Sequence, residues 1–178
     1  MKLNDEQERL LFRSAMGTDA DRDRDRLALL QSLRLSAGPQ AMAFARSYIE
    51  NAIETRDADD LERGLILGFW FGFAHEAASP LRAVIKDTWH HSHEDVVWAL
   101  DHELRDSDNV EALYQATQIV PQYLEFDDAR ALAVKAIWAL GNLGTVSAQS
   151  KLIELAGSTN EVIRSNAVQQ LQRIGTSR

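Results

Sequence analysis

Apolar residues recur along this chain mainly three or four positions apart, the spacing that places them on one face of an α-helix. Alternating β-branched stretches, which would indicate strands, are nearly absent. Only three prolines and nine glycines interrupt the pattern, and good helix formers such as Ala, Leu, Glu, Gln and Arg are plentiful. The sequence therefore predicts an all-α protein with about ten helices.

Five of the predicted helices lie in the N-terminal half, four of them over about 4–16, 21–35, 39–55 and 59–77. Asn4 and Gln7 are spaced as a capping box, in which each side chain bonds to the backbone N–H of the other residue. Ser79 and Pro80 are typical of a helix start, as cap and first-turn residue, and predict the beginning of the fifth helix.

Glycine occurs at every fourth position of the fourth predicted helix, at Gly64, Gly68 and Gly72, among large apolar side chains. A glycine in a helix interior costs about 1 kcal/mol relative to alanine. Three on one ridge predict that a neighbouring helix approaches closely along it. The apolar surface on all sides predicts a buried helix, with an aromatic ligand groove as the alternative.

Five more helices are predicted over about 92–105, 109–124, 127–143, 146–156 and 160–174. The first of these starts with a capping-box-like pair, Ser92 and Asp95. Pro121 falls inside the second and should kink it, because proline lacks a backbone donor and clashes with the preceding turn. The third is apolar on nearly every side and is predicted to be sandwiched between neighbours.

The last third of the chain repeats itself with a period of thirty-one residues: Ala136, Leu140, Leu143 and Gly144 return as Ala167, Leu171, Ile174 and Gly175. Together with Arg164 and a polar turn at 158–160, this pattern resembles the HEAT-like repeats of the phycobilisome-lyase type. The resemblance covers about 128–175 well and about 98–116 weakly. It implies a right-handed α-solenoid of stacked antiparallel helical hairpins in a single domain over 1–178, with degenerate hairpins over 1–90 and HEAT-like repeats over 91–178.

The net charge of −8 is concentrated in one segment. Residues 94–128 hold ten carboxylates and a single basic residue, Arg105, which sum to −9, so the rest of the chain comes to about +1. Such a field attracts a basic protein. It disfavours nucleic acid, whose phosphates are bound by clustered Lys and Arg.

Cysteine is absent from the chain, which excludes disulfides and thiolate metal sites. The most apolar run, 65–74, is well short of the roughly 20 residues that span a bilayer. The first residues lack the apolar stretch of a signal peptide. We therefore expect a cytoplasmic protein that does not enter a membrane.

Three histidines, His90, His91 and His93, stand beside Glu94 and Asp95. Imidazole and carboxylate groups are metal ligands, but adjacent histidines at a helix start do not converge on one point and no second spaced pair accompanies them. We expect no metal here and favour a solvated turn between helices, with a partner contact as the other option.

His102 follows Asp101, a pair with the groups for general acid-base chemistry. No nucleophile, phosphate-binding loop or paired-carboxylate motif accompanies the pair. We expect neither an enzyme nor a cofactor.

Trp98 lies off the apolar stripe of its helix, which consists of Val97, Leu100 and Leu104. A tryptophan among carboxylates has the composition of a binding hot spot, while packing against a neighbouring helix is the alternative. The predicted partner-binding residues surround it along the acidic segment: His93, Glu94, Asp95, Trp98, Asp101, His102, Asp106, Asp108, Glu125, Asp127 and Asp128.

These features predict a non-catalytic module that binds another protein with a basic surface. Resemblance to small bacterial HEAT-like proteins implies an immunity protein that neutralises a cognate toxin. The alternatives are a scaffold or assembly factor for a client enzyme, and a HEAT-like DNA-repair enzyme, which the acidic charge disfavours.

Overall fold

A computed structural model describes residues 2–16, 18–127 and 130–176, and within these ranges the chain forms helices and turns but no strand. The all-α prediction is confirmed. The ten α-helices of the described ranges are α1 Asp5–Met16, α2 Asp19–Leu33, α3 Pro39–Thr55, α4 Ala58–Phe71, α5 Ala78–Val84, α6 His93–Trp98, α7 Val110–Ala116, α8 Arg130–Leu143, α9 Val146–Ala156 and α10 Glu161–Thr176. None of the helices in the described part has the length and apolar character needed to cross a membrane.

The chain divides into two compact units, Met1–Ala77 and Ala78–Arg178. The first contains α1 to α4 and the second α5 to α10. The sequence pattern predicts that degenerate hairpins give way to HEAT-like repeats between residues 90 and 91. The structural division lies between residues 77 and 78, directly before α5.

Helices α1 and α2 pack together in the N-terminal unit, as do α3 and α4. The predicted capping box is present: Gln7 N–H donates to Asn4 Oδ1 at 3.0 Å, and Asn4 N–H donates to Gln7 Oε1 at 2.9 Å. The buried interior of this unit holds a few polar groups, among them Asp25 and Asp60, and the Tyr48 hydroxyl donates to the Asp60 carboxylate at 3.0 Å. One cluster of buried side chains consists of Leu3, Leu11, Leu29, Ala45, Tyr48 and Leu67.

The glycine ridge is explained differently at each position. A Cβ on Gly64 would lie 3.2 Å from the backbone nitrogen of Ile49, so α3 does approach closely there. A Cβ on Gly68 would lie 2.4 Å from the ring of Phe73, which belongs to the loop after α4 and not to a neighbouring helix. Gly72 has φ +92°, which ends α4 at Phe71, so the predicted extension to residue 77 is wrong.

Helix α8 lies at the centre of the C-terminal unit and contacts α6, α7, α9 and α10. This confirms that it is sandwiched. Ala136 and its repeat equivalent Ala167 are both fully buried.

Two predicted helix starts in this unit are wrong in detail. Helix α5 already begins at Ala78, after a 3₁₀ turn over His75–Ala77, so Ser79 and Pro80 lie inside its first turn. Ser92 makes no side-chain cap for α6; instead its backbone N–H donates to Nδ1 of His90 at 3.2 Å.

The seventh predicted helix, 109–124, is too long. Helix α7 ends at Ala116. The N–H groups of Thr117 and Gln118 donate to carbonyls three residues earlier, not four. The Thr117 hydroxyl also donates to the Tyr114 carbonyl, at 2.7 Å. Pro121 therefore lies outside α7 and cannot kink it. A 3₁₀ stretch, Gln122–Asp127, follows it.

Helix α6 continues into a π-helical turn over Ala99–Glu103, closed by a bond from Leu104 N–H to the Ala99 carbonyl at 2.9 Å. Asn109, at the end of a 3₁₀ turn over Ser107–Asn109, is fully buried. Its side-chain amide donates to the carbonyls of Leu100 and Leu104 at 2.9 and 2.7 Å. This amide satisfies carbonyls that the end of a helix leaves without a partner. The π turn therefore depends on a residue that the sequence had placed at the start of the next helix.

Candidate partner-binding groove

A groove of about 300 Å³ runs between the α6–π segment and α8 in the C-terminal unit. We call it the tryptophan groove. The α6–π side contributes Val97, Trp98, Asp101 and His102, and the α8 side contributes Val134, Lys135, Trp138 and Asn142.

The groove exists because each helix turns one mixed face toward the other. Val134, Trp138 and Asn142 are spaced by four residues and so lie on one face of α8. The buried stripe beside it, which includes Ala136 and Leu140, attaches α8 to its neighbours. The large aromatic side chains therefore remain at the edge of the packing, where a partner can reach them.

Two tryptophans in the groove are partly open to solvent, Trp98 at 41% and Trp138 at 39%. The Trp98 ring stacks on His102, with centroids 4.3 Å apart and planes inclined by 12°. The Trp138 indole N–H donates to Asn166 at 3.2 Å, and the guanidinium of Arg173 lies 5.7 Å from its ring. Both rings are thus held by neighbouring side chains while they stay partly exposed, as preorganised binding anchors are.

Asp101 forms the polar floor of the groove and is only 5% exposed. The side-chain amide of Asn142 donates to both of its carboxylate oxygens, at 2.9 and 3.1 Å. As a predicted partner-binding residue this carboxylate should lie on the surface, but it is nearly buried. A residue 41 positions away covers it, which no local pattern shows.

Part of the negative charge of residues 94–128 is balanced by cations from α8 and α9. Lys135 Nζ lies 2.8 Å from Glu94, and Lys151 Nζ lies 3.3 Å from Glu111. The segment is still acidic, with exposed carboxylates such as Asp95 and Asp108, but its field is weaker than the net charge alone indicates.

Two of the three histidines, His90 and His93, form a buried pair, so the prediction of a solvated turn is wrong for them; His91 is exposed. His90 and His93 stack with centroids 4.1 Å apart, and each is 1% exposed. Nε2 of His90 lies 2.9 Å from the Val84 carbonyl, and Nε2 of His93 lies 2.9 Å from the Asp87 carbonyl. Carbonyls accept only, so both Nε2 atoms carry a proton.

The two Nδ1 atoms then act as acceptors, from Ser92 N–H for His90 and from the Tyr123 hydroxyl, at 3.1 Å, for His93. Burial, with a smaller contribution from His90, lowers the pKa of His93 to about 4, and burial also lowers the pKa of His90. Burial raises the pKa of Tyr123 to about 12. All four ring nitrogens are engaged, and no cluster of three or more His, Asp or Glu suited to a metal ion occurs among the described residues.

Only part of the predicted partner-binding set meets at the groove. Trp98, Asp101 and His102 line it, and Glu94 pairs with its Lys135. His93 is buried and cannot contact a partner directly, which corrects that assignment.

The remaining predicted residues do not line the groove. Asp95, Asp108 and Glu125 are exposed elsewhere. Asp106 accepts the Asp108 N–H at 2.8 Å and so caps the 3₁₀ turn that begins at Ser107. The Asp127 carboxylate accepts the Ala131 N–H at 3.4 Å, in the first turn of α8. Asp128 lies outside the described residues.

Sequence reasoning missed the α8 half of the groove. The predicted partner-binding set contains none of Lys135, Trp138 and Asn142. The spacing of Trp138 and Asn142 by four residues does show a shared face. It does not show that this face lies opposite α6.

No family model matches the chain, and no curated protein and no solved structure is similar to it. The resemblance to HEAT-like repeats therefore rests on the repeated residues alone. A function has to be inferred from the chemistry of the groove.

Proposed function

We propose that this chain is a non-catalytic module that binds another protein through the tryptophan groove. The observation that carries the proposal is the pair of half-exposed tryptophans, Trp98 and Trp138, on the two sides of one cavity. Tryptophan is the side chain most enriched among residues that dominate binding energy, and such anchors lie in preformed pockets.

The charge around the groove supports a basic partner. Exposed carboxylates of the acidic segment, such as Asp95, lie outside the groove, but their field accelerates association with a positively charged protein. Together with the resemblance to HEAT-like immunity proteins, this favours neutralisation of a basic toxin.

The helical-repeat architecture is part of the same proposal. Helices α8 and α10 bury corresponding alanines, Ala136 and Ala167, as successive repeats of one packing unit do. We infer HEAT-like repeats in the C-terminal unit, while the right-handed α-solenoid over the whole chain stays a prediction.

The test compares tagged wild-type protein with Trp98→Ala and Trp138→Ala, each purified from its own cells with its bound proteins quantified. The matched control is Ile153→Ala, which removes an exposed apolar side chain of α9 that does not line the groove. We expect one basic protein to co-purify with the wild type and the control and to be lost from both tryptophan variants.

Recovery of the same proteins with every variant would refute the groove as the binding surface. If the groove-dependent protein is a toxin, the immunity function is supported. A groove-dependent metabolic enzyme supports the scaffold function instead.

A further inference from the structure

Among the described residues, the contacts of the Asp101 carboxylate with charged or chargeable groups are long: the Arg105 Nη2 lies 3.4 Å from it and the His102 Nδ1 lies 3.6 Å from it. The carboxylate's two shortest contacts, 2.9 and 3.1 Å, both come from the neutral amide of Asn142. A buried carboxylate is stabilised mainly by ion pairing and charge-assisted bonds, whereas the short bonds of Asp101 are neutral and its bond from the charged Arg105 is long.

The charged or chargeable groups closest to the Asp101 carboxylate make their shortest contacts elsewhere. His102 Nδ1 lies 3.6 Å from the carboxylate but 3.2 Å from the Trp98 carbonyl. Arg105 directs its short bond, 2.7 Å, from Nε to the backbone carbonyl of Asp101, and its Nη2 lies 3.4 Å from the carboxylate. Lys135 is paired with Glu94 at 2.8 Å. The guanidinium of Arg173 donates to the Asn142 side-chain carbonyl at 2.8 Å and thereby orients the amide toward Asp101.

The walls above this carboxylate are suited to a planar cation with an aliphatic stem. Trp98 and Trp138 offer aromatic faces, which attract cations and stack on guanidinium groups. Val97 and Val134 offer apolar surface for the methylene groups of such a side chain. His102, which also lines the groove, stacks on the Trp98 ring and holds it in place.

We propose that the tryptophan groove binds an arginine side chain of the partner protein, with the guanidinium against the indole rings and hydrogen-bonded to Asp101. This inference rests on the proposed function and names the group that the groove recognises. The partner's guanidinium supplies a short charge-assisted bond in place of the long contact that Arg105 makes with Asp101, and the aromatic faces screen the resulting ion pair from water.

The test titrates the wild-type protein with N-acetyl-arginine methylamide and follows the indole N–H signals of its four tryptophans by NMR. N-acetyl-citrulline methylamide is the matched probe, because it has the same shape without the charge, and N-acetyl-phenylalanine methylamide tests for a purely apolar anchor. Trp70 and Trp89 lie outside the groove and serve as internal controls.

We expect the arginine probe to shift the signals of Trp98 and Trp138 in a saturable way, with citrulline about tenfold weaker. In Asp101→Asn, checked for its native helical signal, this preference for arginine should disappear. Equal binding of arginine and citrulline, stronger binding of phenylalanine, or no shift at the two groove tryptophans would each overturn the arginine assignment. None of these outcomes would refute the proposed function. The purification experiment tests that function separately, and it refutes the function only if partner capture does not depend on the groove.

Discussion

Acid should destabilise this protein before its carboxylates begin to protonate, because two neutral histidines are buried together. His93 is held with a pKa of about 4, against an ordinary value of 6.5. Between these values the unfolded chain binds a proton at this position and the folded chain does not, so the free energy of unfolding falls as the pH drops. Above pH 6.5 both forms are neutral and this contribution is constant.

The magnitude follows from the difference between the two pKa values. A fall from 6.5 to about 4 corresponds to a loss of roughly 3 kcal/mol of stability once the pH is near 4. His90 adds a loss in the same direction, since burial lowers its pKa as well. The groups that face His93 are His90, His91, Tyr123 and Asp87, and Asp87 opposes the shift only in part.

The assay is urea unfolding at a series of pH values from 7.5 to about 4, on the wild type and on His93→Gln, which cannot protonate there. At pH 7.5 we expect the variant to be less stable, because it loses the stacking and hydrogen bonds of His93. The difference in free energy of unfolding between the two proteins should narrow on acidification by up to about 3 kcal/mol. Parallel curves for the two proteins would refute the assignment of a neutral, buried His93.

Three further changes test other parts of the structure. Gly68→Leu should lower the free energy of unfolding by about 1 to 3 kcal/mol, because its side chain meets the buried aromatic ring already packed there, while Gly175→Leu, at an open position of α10, should be nearly neutral. Asn109→Ala should cost about 1 to 3 kcal/mol in the same measurement, since two carbonyls lose their donor; unchanged stability would mean that water replaces the amide. Reversing the exposed charges Asp95 and Asp108 to lysine should slow association with the partner and weaken the salt dependence of the association rate in stopped-flow measurements. An unchanged association rate would show that the acidic segment 94–128 does not steer binding.

The features that the sequence predicted correctly depend on residues within one or two helical turns. The Asn4–Gln7 capping box involves only neighbours in sequence, and the contacts of α8 on several sides follow from its apolar residues on nearly every face.

The wrong predictions involve residues far apart in the chain or competing local bonds. His93 is buried because the hydroxyl of Tyr123, 30 residues away, accepts its backbone N–H and donates to its ring. Asp101 is covered by Asn142, which belongs to another helix. Helix α7 stops early because the Thr117 hydroxyl competes for a carbonyl of the last turn, which helical periodicity does not register.

The central claim, that the tryptophan groove is the partner-binding surface, is tested most directly by the dissociation rate of the co-purified partner. Surface plasmon resonance measures this dissociation rate for the wild type, for one variant on each side of the groove, Trp98→Ala and Trp138→Ala, and for the control Ile153→Ala. We predict that each tryptophan variant dissociates faster by a factor that corresponds to about 2 kcal/mol or more, with the control close to wild type. Wild-type dissociation from both tryptophan variants, with their helical content intact, would contradict the account.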